Sequence, residues 1–366
     1  MTGLTDGIVA GYDGSPGSGQ AVRWAAREAQ ARGTMLTVCL AWMPGHMALP
    51  PESAIFALAR QHGKEILARA VPYAGSVLGP GRVHLALAGG PAAQMLCERS
   101  RTAEMIVVGS RGHSELPGLQ LGPVSSQVAG YASGRVVVVR GRWRPVNESP
   151  GPVVVGVDGS QASQAALTFA VEEAALRDVP LVALCALAYA PGRLGEMRLI
   201  EDAFNHVIAR EEKQHPDVTV VRQVVAGTPR SALLAAVTSA QMLVAGCRGR
   251  GDLDDMRLGS VAQAMLHHSP CPVGIVHPPA CQPGLGRNDA MADWSVISSD
   301  AVVALSRTID AATGRGDIDE AIRLASLQDA ELNRWLEAHG YPRLRKAHGA
   351  RPSCSEEDES SSHAPG

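Results

Sequence analysis

The sequence predicts an α/β protein built from two tandem copies of one domain, each an open parallel sheet with helices on both faces. Short apolar runs alternate with longer amphipathic segments along the chain, which is typical of βαβ units. Three landmarks also recur in the same order, which indicates an internal duplication of about 140 residues. The 366 residues accommodate two such domains and a remainder.

The landmarks are an Asp-Gly-Ser turn after an apolar run, a glycine after the third strand, and a glycine-rich loop. The first shifts by 145 positions, from Ile8–Ser15 to Val153–Ser160. The other two shift by 137 positions, from Ala88–Pro91 to Val225–Thr228 and from Gly109–Gly112 to Gly246–Gly249. The offset between the copies therefore decreases by eight residues, and this decrease falls between the second strand and Gly90 of the first copy.

In the first copy, residues 5–143, the pattern predicts five strands and the helices between them. Many of the runs are apolar throughout, as expected of strands covered on both faces. The long second helix has candidate breaks at Gly63 and Pro72. The predicted elements are Ile8–Tyr12, Gly17–Arg32, Met35–Trp42, Ser53–Leu78, Val83–Ala88, Pro91–Arg101, Met105–Val108, Val124–Ala132 and Val136–Val139.

The second copy, residues 151–278, follows the same plan after a short proline-rich joint at 143–150. Its predicted elements are Val153–Val157, Ser163–Arg177, Leu181–Leu187, Arg193–Gln214, Val218–Val225, Pro229–Ser239, Met242–Ala245, Val261–His267 and Val273–Val276.

Beyond the second copy the composition changes. Proline and glycine mark residues 279–297 as a linker. Residues 298–340 predict a helical hairpin, Asp300–Thr313 and Asp317–His339, whose apolar stripe needs a surface of the body or an unknown protein partner. The acidic, serine-rich stretch 349–366 predicts disorder.

Composition argues against several functional classes. A net charge of −3 points neither to nucleic acid nor to an anionic membrane surface. Aromatic residues are only 4%, too few for a platform that stacks bases. No secretory signal and no run of membrane-spanning length is visible, so we expect a cytoplasmic protein.

Cysteine and histidine spacing predicts no metal site. The seven cysteines form no C-x-x-C pair, and several, such as Cys39, lie inside apolar runs as buried reduced thiols do. No spacing indicates a catalytic Ser/His/Asp or Cys/His arrangement, so we expect no catalytic residues and no enzyme, although weak hydrolysis of a bound ligand stays open.

The loop Gly246-Cys247-Arg248-Gly249, followed after nine residues by Gly259-Ser260, predicts an oxyanion site. It connects an apolar strand to a helix that begins with serine. Glycines let the backbone approach a ligand, the helix N-terminus offers free N–H groups, and serine adds a hydroxyl. The first copy has the same spacing, but Pro123 stands at the position of Ser260.

Asp13 and Asp158, at the ends of the first strands, complete the pattern. If the first and fourth strands are neighbours, each carboxylate faces the same crevice as the glycine loop. A carboxylate for a ribose and a loop for phosphates together describe a nucleotide site. The alternative is that Asp-Gly-Ser serves only as a tight turn and helix cap.

The combined pattern resembles the universal stress protein family, in its tandem bacterial form, over residues 5–278. The family signature Gly-x2-Gly-x9-Gly-Ser/Thr is matched in full by Gly246, Gly249, Gly259 and Ser260. The resemblance implies five parallel strands in the order 3-2-1-4-5 in each copy. It also implies ATP, with Mg²⁺ as an optional companion, between the first and fourth strands.

The resemblance implies the site residues of both copies. Asp158 with Gly159 would bind the ribose, the backbone near Ala186 the adenine, and the loop and helix start the phosphates. The loop and helix residues are Gly246, Arg248, Gly249, Gly259, Ser260, Val261 and Ala262. The equivalents in the first copy are Asp13, Gly14, Ala41, Gly109, Arg111, Gly112, Gly122, Val124 and Ser125.

Pro123 departs from the signature because it has neither a hydroxyl nor a backbone N–H. We therefore expect tighter nucleotide binding in the second copy, with the Ser125 hydroxyl as a replacement donor in the first.

The sequence thus predicts an ATP-binding stress-response protein that acts as a nucleotide-dependent regulator or sensor. The first alternative is a scaffold that keeps the fold without binding nucleotide. A second alternative, an ATP-pyrophosphate-type transferase, lacks the Ser-Gly-Gly-x-Asp-Ser-type loop after the first strand.

The resemblance also implies association through the last strands, Val136–Val139 and Val273–Val276. These would be exposed edges unless they pair, either with each other as an internal pseudo-dimer or in a homodimer.

Overall fold

A computed structural model describes residues 7–42, 54–79, 81–112, 120–140, 151–187, 194–249 and 257–278. The predicted linker, helical hairpin and acidic tail at 279–366 lie outside these residues, as does the joint at 143–150. Within the described residues, strands and helices alternate as predicted.

The first copy contains five strands and five helices among the described residues. They are β1 (Ile8–Gly11), α1 (Pro16–Arg32), β2 (Leu36–Trp42), α2 (Ala54–Ala68), α3 (Val71–Leu78), β3 (Val83–Gly89), α4 (Ala92–Arg99), β4 (Met105–Gly109), α5 (Pro123–Tyr131) and β5 (Gly134–Val139).

The second copy repeats this order with one long helix in place of α2 and α3. Its elements are β6 (Val153–Gly156), α6 (Gln161–Arg177), β7 (Leu181–Leu187), α7 (Leu194–Gln214), β8 (Val220–Ala226), α8 (Pro229–Ala236), β9 (Met242–Gly246), α9 (Ser260–His268) and β10 (Val273–His277).

The long helix predicted for 53–78 is divided near Pro72, and Gly63 lies inside α2. The break follows from the proline ring, which occupies the first turn of α3, where a missing N–H costs no intrahelical bond. Gly63 does not break α2, and its lack of a side chain leaves room for Leu87. A Cβ added to Gly63 would lie 3.1 Å from Leu87 Cδ1.

All ten strands form one sheet in the order β3-β2-β1-β4-β5-β10-β9-β6-β7-β8. Each half has the predicted order 3-2-1-4-5, and the strands within each half are parallel. The halves meet where β5 pairs antiparallel with β10, with Val136 opposite Ile275. The internal pairing of the two copies is therefore confirmed, and neither last strand offers an open edge.

The remaining sheet edges are β3 and β8. Their side chains are mostly exposed or half-buried, unlike those of the central strands. The expectation of strands covered on both faces is correct for the centre of the sheet and wrong for these edges. Arg222 and Gln223 on β8 and His84 on β3 supply the polar character that discourages pairing with another chain.

A buried ion cluster joins the copies where α1 meets α6. Glu28 and Arg32 of α1 correspond by the 145-residue shift to Glu173 and Arg177 of α6. Arg177 Nη2 lies 2.7 Å from Glu28 Oε2, and Arg32 pairs with Glu173. Two carboxylates and two guanidinium groups therefore meet inside the protein, where a charge needs a partner. Burial raises the pKa of Glu173 to about 7.

Candidate functional site

A crevice opens in the first copy where β1 and β4 end side by side. The two strands pair in parallel, with Ile8 opposite Met105. The helices that follow these neighbouring strands lie on opposite faces of the sheet, which leaves a crevice between the strand ends. The cavity has about 630 Å³ of empty space, part of it open to solvent. Its polar wall holds predicted site residues of the first copy: Asp13, Ala41, Gly109, Arg111, Gly112, Gly122, Val124 and Ser125.

The opposite wall of this crevice is apolar. Met95 and Leu96 of α4 line it, together with Cys39 and Leu40 of β2. A flat apolar group can lie against this wall while a charged group reaches the glycine loop. Pockets of this kind, mostly apolar with a few polar groups, are the usual form of small-molecule sites.

The Asp-Gly-Ser turns serve the fold in both copies. Asp13 Oδ1 accepts the Ser15 N–H at 3.0 Å, and Ser15 Oγ accepts the Ser18 N–H at 3.2 Å as the N-cap of α1. In the second copy Asp158 Oδ1 accepts the Ser160 N–H at 2.9 Å, and Ser160 caps α6. Gly14 and Gly159 turn with positive φ angles of 86° and 80°. In both copies the motif therefore forms the tight turn and helix cap, with Oδ1 of the aspartate as an acceptor.

The other oxygen of Asp13 faces the glycine loop. A Cβ added to Gly112 would lie 2.3 Å from Asp13 Oδ2, a distance that no side chain tolerates. The structure thus brings the carboxylate and the loop together, as the sequence predicted for neighbouring first and fourth strands. A side chain at 112 would displace the Asp13 carboxylate, and glycine lets the loop pass directly over it.

The first glycine of the signature has a packing role in both copies. A Cβ on Gly109 would lie 2.7 Å from the carbonyl carbon of Gly17, and one on Gly246 would lie 2.7 Å from that of Ala162. The end of the fourth strand therefore packs directly on the first turn of α1 or α6.

The two loops close in the same way. The Gly122 N–H donates to Ser110 O at 2.7 Å, and the Gly259 N–H donates to Cys247 O at 2.8 Å. In the second copy Ser160 Oγ also reaches Arg248 O at 3.5 Å. Residues 113–119 and 250–256, between the glycines of the signature, lie outside the described part of the chain.

The helices that follow these loops differ at their first residue. Neither α5 nor α9 has a side-chain cap, because Gly122 and Gly259 occupy the N-cap positions. In α9 the exposed Ser260 offers both a hydroxyl and an N–H, with Val261 and Ala262 following. In α5 the first residue is Pro123, so one donor is missing from the helix start.

Ser125, the residue expected to replace this donor, has a partner inside the fold. The buried Ser125 hydroxyl donates to Gly109 O at 2.5 Å, so its proton is committed to the fold. The corresponding residue of the second copy is Ala262, which makes no such bond.

The adenine-side residues Ala41 and Ala186 lie near the ends of β2 and β7, where both are half-buried. Val124 is 36% exposed on the first turn of α5. Arg111 is exposed, whereas Arg248 is half-buried, so the second copy holds its loop arginine closer to the body.

In each copy, a residue at the end of the last strand bonds to backbone carbonyls of the other copy's last helix. We call these two contacts the crossed caps, and the sequence analysis did not predict them. Arg140, after β5, donates through Nη2 to His267 O at 2.8 Å and through Nη1 to Leu266 O, at the C-terminus of α9. His277, the equivalent residue on β10, donates through Nε2 to Ala129 O at 2.8 Å on α5. The sequence held one signal for these contacts: Arg140 and His277 occupy corresponding positions of the two copies, related by the 137-residue shift.

Charge near the loops affects both capping residues. Burial lowers the pKa of His277, and the nearby Arg248 lowers it further. Burial likewise lowers the pKa of Arg140, with the charge of Arg111 adding to the effect. Each loop arginine therefore lies close enough to the other copy's helix cap for their charges to interact.

Within the described residues, no group of three or more metal-ligating side chains is present. No helix in that part of the chain has the length and apolar character needed to cross a membrane.

Comparison with known proteins gives a consistent result. The sequence model of the universal stress protein family matches residues 5–140 and 151–277. The universal stress protein Rv1996 of Mycobacterium tuberculosis is 35% identical over 307 residues, covering 75% of this chain and 95% of its own length. The universal stress protein Rv2623 of the same organism is 33% identical over 283 residues, covering 73% and 95%.

Among solved structures, a universal stress protein from Archaeoglobus fulgidus matches 75% of this chain and 98% of its own, with a TM-score of 0.56 and 18% identity. A universal stress protein solved in complex with cAMP matches 37% of this chain and 96% of its own, with a TM-score of 0.31 and 26% identity.

Proposed function

The chain belongs to the universal stress protein family, and we propose that it binds ATP at the carboxyl ends of its parallel strands. It acts as a nucleotide-dependent regulator or sensor, and its tighter site is in the second copy. The observation that carries this proposal is the start of α9, where Gly259 leaves the helix without a side-chain cap and Ser260 is exposed. Such a helix start attracts phosphate through free N–H groups and the helix dipole.

In the second copy the phosphates lie against Gly246, Gly249, Gly259 and Ser260. Arg248, on the same loop, supplies a positive charge for the phosphates. The Asp158 carboxylate, whose Oδ1 accepts the Ser160 N–H, also accepts hydrogen bonds from the ribose hydroxyls. The adenine lies near the backbone at Ala186, close to the end of β7. Mg²⁺ is an optional companion of the phosphates in this proposal.

The first copy binds the same ligand more weakly. Pro123 removes an N–H and a hydroxyl from the helix start, and the Ser125 hydroxyl is used by Gly109 O. Each charge-assisted hydrogen bond that is lost costs about 1.5–3 kcal/mol, or roughly a factor of ten or more in affinity. These two observations also favour a scaffold role for the first copy, which pairs with the second through β5.

In this proposal ATP acts by changing the conformation of the protein, and its own covalent bonds stay intact. Closure of the glycine loops over the phosphates alters a surface of the protein. Neither copy has the Gly-Lys-Ser/Thr ending of a P-loop, the machinery that would support hydrolysis.

The experiment is a titration of the full chain with ATP by calorimetry, with thermal unfolding measured alongside. A ligand that binds only the native state raises the unfolding midpoint. We expect saturable binding below millimolar concentration, abolished for the tighter site by Asp158→Ala and little changed by the matched Asp13→Ala. Absence of saturable binding in the wild type, or equal losses in both variants, would contradict the proposal.

A further inference from the structure

The two copies differ on the face of the sheet that α1 and α6 cover, next to the nucleotide crevice, which Tyr12 and Leu40 also line. In the first copy Tyr12 follows β1 and is only 5% exposed. It belongs to the core that α1 and α3 cover, together with Leu40 of β2. Its ring centre lies 6.4 Å from that of Tyr73, and the two rings are tilted by 60°. Two aromatic rings therefore fill this part of the first copy.

The second copy has smaller side chains at the corresponding positions. Val157 replaces Tyr12, and Cys185 replaces Leu40, both by the 145-residue shift. The space that the Tyr12 ring fills in the first copy is consequently a cavity in the second, with about 460 Å³ of empty volume, part of it open to solvent. Its apolar wall consists of Val157, Cys185, Ile200, Ala203, Phe204 and Val207.

One end of this cavity is polar. Asp158 and Gln164 line it there. The Gln164 side chain donates through Nε2 to Gly159 O at 3.3 Å, so its Oε1 is the amide atom that can accept a bond from a ligand. Gly19 occupies this position in the first copy, where an added Cβ would lie 3.1 Å from the Tyr73 ring. The first copy therefore accommodates an aromatic ring at a place where the second presents a hydrogen-bonding side chain.

We propose that this cavity binds a small aromatic molecule of phenol size, with its hydroxyl towards Gln164 Oε1 and Asp158. Apolar walls with a few polar groups at one end are typical of small-molecule sites. The cavity adjoins the nucleotide crevice, because Tyr12 and Leu40, the counterparts of Val157 and Cys185, line the crevice of the first copy. It extends from there along α7, where Ile200, Phe204 and Val207 form its wall. Asp158 borders the cavity, so an occupant contacts the residue to which we assign the ribose. The cavity itself does not depend on ATP binding.

The test uses 4-fluorophenol as the probe and ¹⁹F NMR titration of the full chain. The wild type should bind one equivalent in a saturable manner, within the low affinity that eight heavy atoms permit. Val157→Tyr supplies the ring that the first copy already has, so it should weaken binding by about tenfold or more. The matched Tyr12→Val opens the corresponding cavity in the first copy and should add a second equivalent.

Cys185→Leu, which copies Leu40, covers the case in which Val157→Tyr does not fold. It narrows the cavity less and should weaken binding by a smaller factor, with circular dichroism checking that the fold is kept. Non-saturable shifts in the wild type would mean an unoccupied packing gap and would overturn the proposal. Undiminished binding in folded Val157→Tyr or Cys185→Leu would place the probe elsewhere and would also overturn it.

Discussion

The two copies share every strand of the fold and differ at the places where a ligand would bind. Both have the Asp turn, the loop closed by a glycine N–H, and a last helix without a side-chain cap. At the first residue of that helix, however, one copy has Pro123 and the other Ser260. Behind the Asp turn, one has Tyr12 and the other Val157.

This difference separates what the fold requires from what a ligand requires. Gly109 and Gly246 are kept in both copies because a side chain there would collide with the first turn of α1 or α6. Proline at the start of α5 is compatible with the helix, since the first N–H has no intrahelical partner. The substitution therefore spares the fold and removes a donor to a ligand. We infer that the copies diverged in binding and not in architecture.

The largest expected effect concerns what the copies share, the ion cluster between α1 and α6. Arg177→Met leaves Glu28 and Glu173 buried with only Arg32, and their side chains are at most 3% exposed. Removing one partner of a buried pair costs about 3–5 kcal/mol. Urea unfolding of the full chain measures this loss.

Arg32→Met, the equivalent change in the first copy, should cost a similar amount because both arginines serve one cluster. Arg222→Met is the control. Arg222 on the edge strand β8 and Glu212 on α7 are 36% and 34% exposed, and such pairs contribute about 0–1 kcal/mol. A loss under 1 kcal/mol for Arg177→Met would show that the cluster does not join the copies.

A smaller effect is expected at the crossed cap from the first copy to the second. Arg140→Gln removes a charged donor from the Leu266 and His267 carbonyls at the C-terminus of α9. The expected loss is about 2 kcal/mol, from charge-assisted bonds and the helix dipole. Hydrogen exchange should speed up in α9 and stay unchanged in α5. Equal changes in both helices would contradict the assignment of this cap to one copy.

The smallest effect is expected at the reverse cap and depends on pH. Burial holds the pKa of His277 below the ordinary 6.5, so the unfolded chain takes up a proton first. The stability that His277 contributes is therefore present above pH 6.5 and is lost as the pH falls towards its lowered pKa.

His277→Gln keeps a donor for Ala129 O and removes the titration. At pH 7.5 it should cost about 1 kcal/mol or less, and the difference from the wild type should shrink as the pH is lowered. Unfolding free energies measured from pH 7.5 to 5 decide this point. A difference that stays constant over that range would mean that His277 does not titrate in the fold.

The sequence was sufficient for the architecture because its signals are local. Apolar runs, Ser15 before α1 and Thr228 before α8 mark the elements, and the repeat of Asp13 at Asp158 reveals the duplication. The order of strands came from family resemblance. The pairing of β5 with β10 was expected because two apolar last strands need partners.

Side-chain contacts between distant residues were not accessible in the same way. Nothing near Ser125 in the sequence shows that its hydroxyl points to Gly109 O, because that bond depends on how α5 packs against β4. The caps by Arg140 and His277 likewise need the antiparallel pairing before their targets come within reach. The cavity beside Val157 becomes visible only when the two copies are compared in three dimensions.

The central claim, that the first residue of the last helix decides which copy binds ATP more tightly, is tested by exchanging that residue. Pro123→Ser and Ser260→Pro are compatible with the fold because each copies its counterpart. Calorimetric titration with ATP in Asp13→Ala and Asp158→Ala backgrounds reports one site at a time. We predict that Ser260→Pro weakens the second site about tenfold or more while Pro123→Ser strengthens the first. Unchanged affinities in both variants would contradict the account.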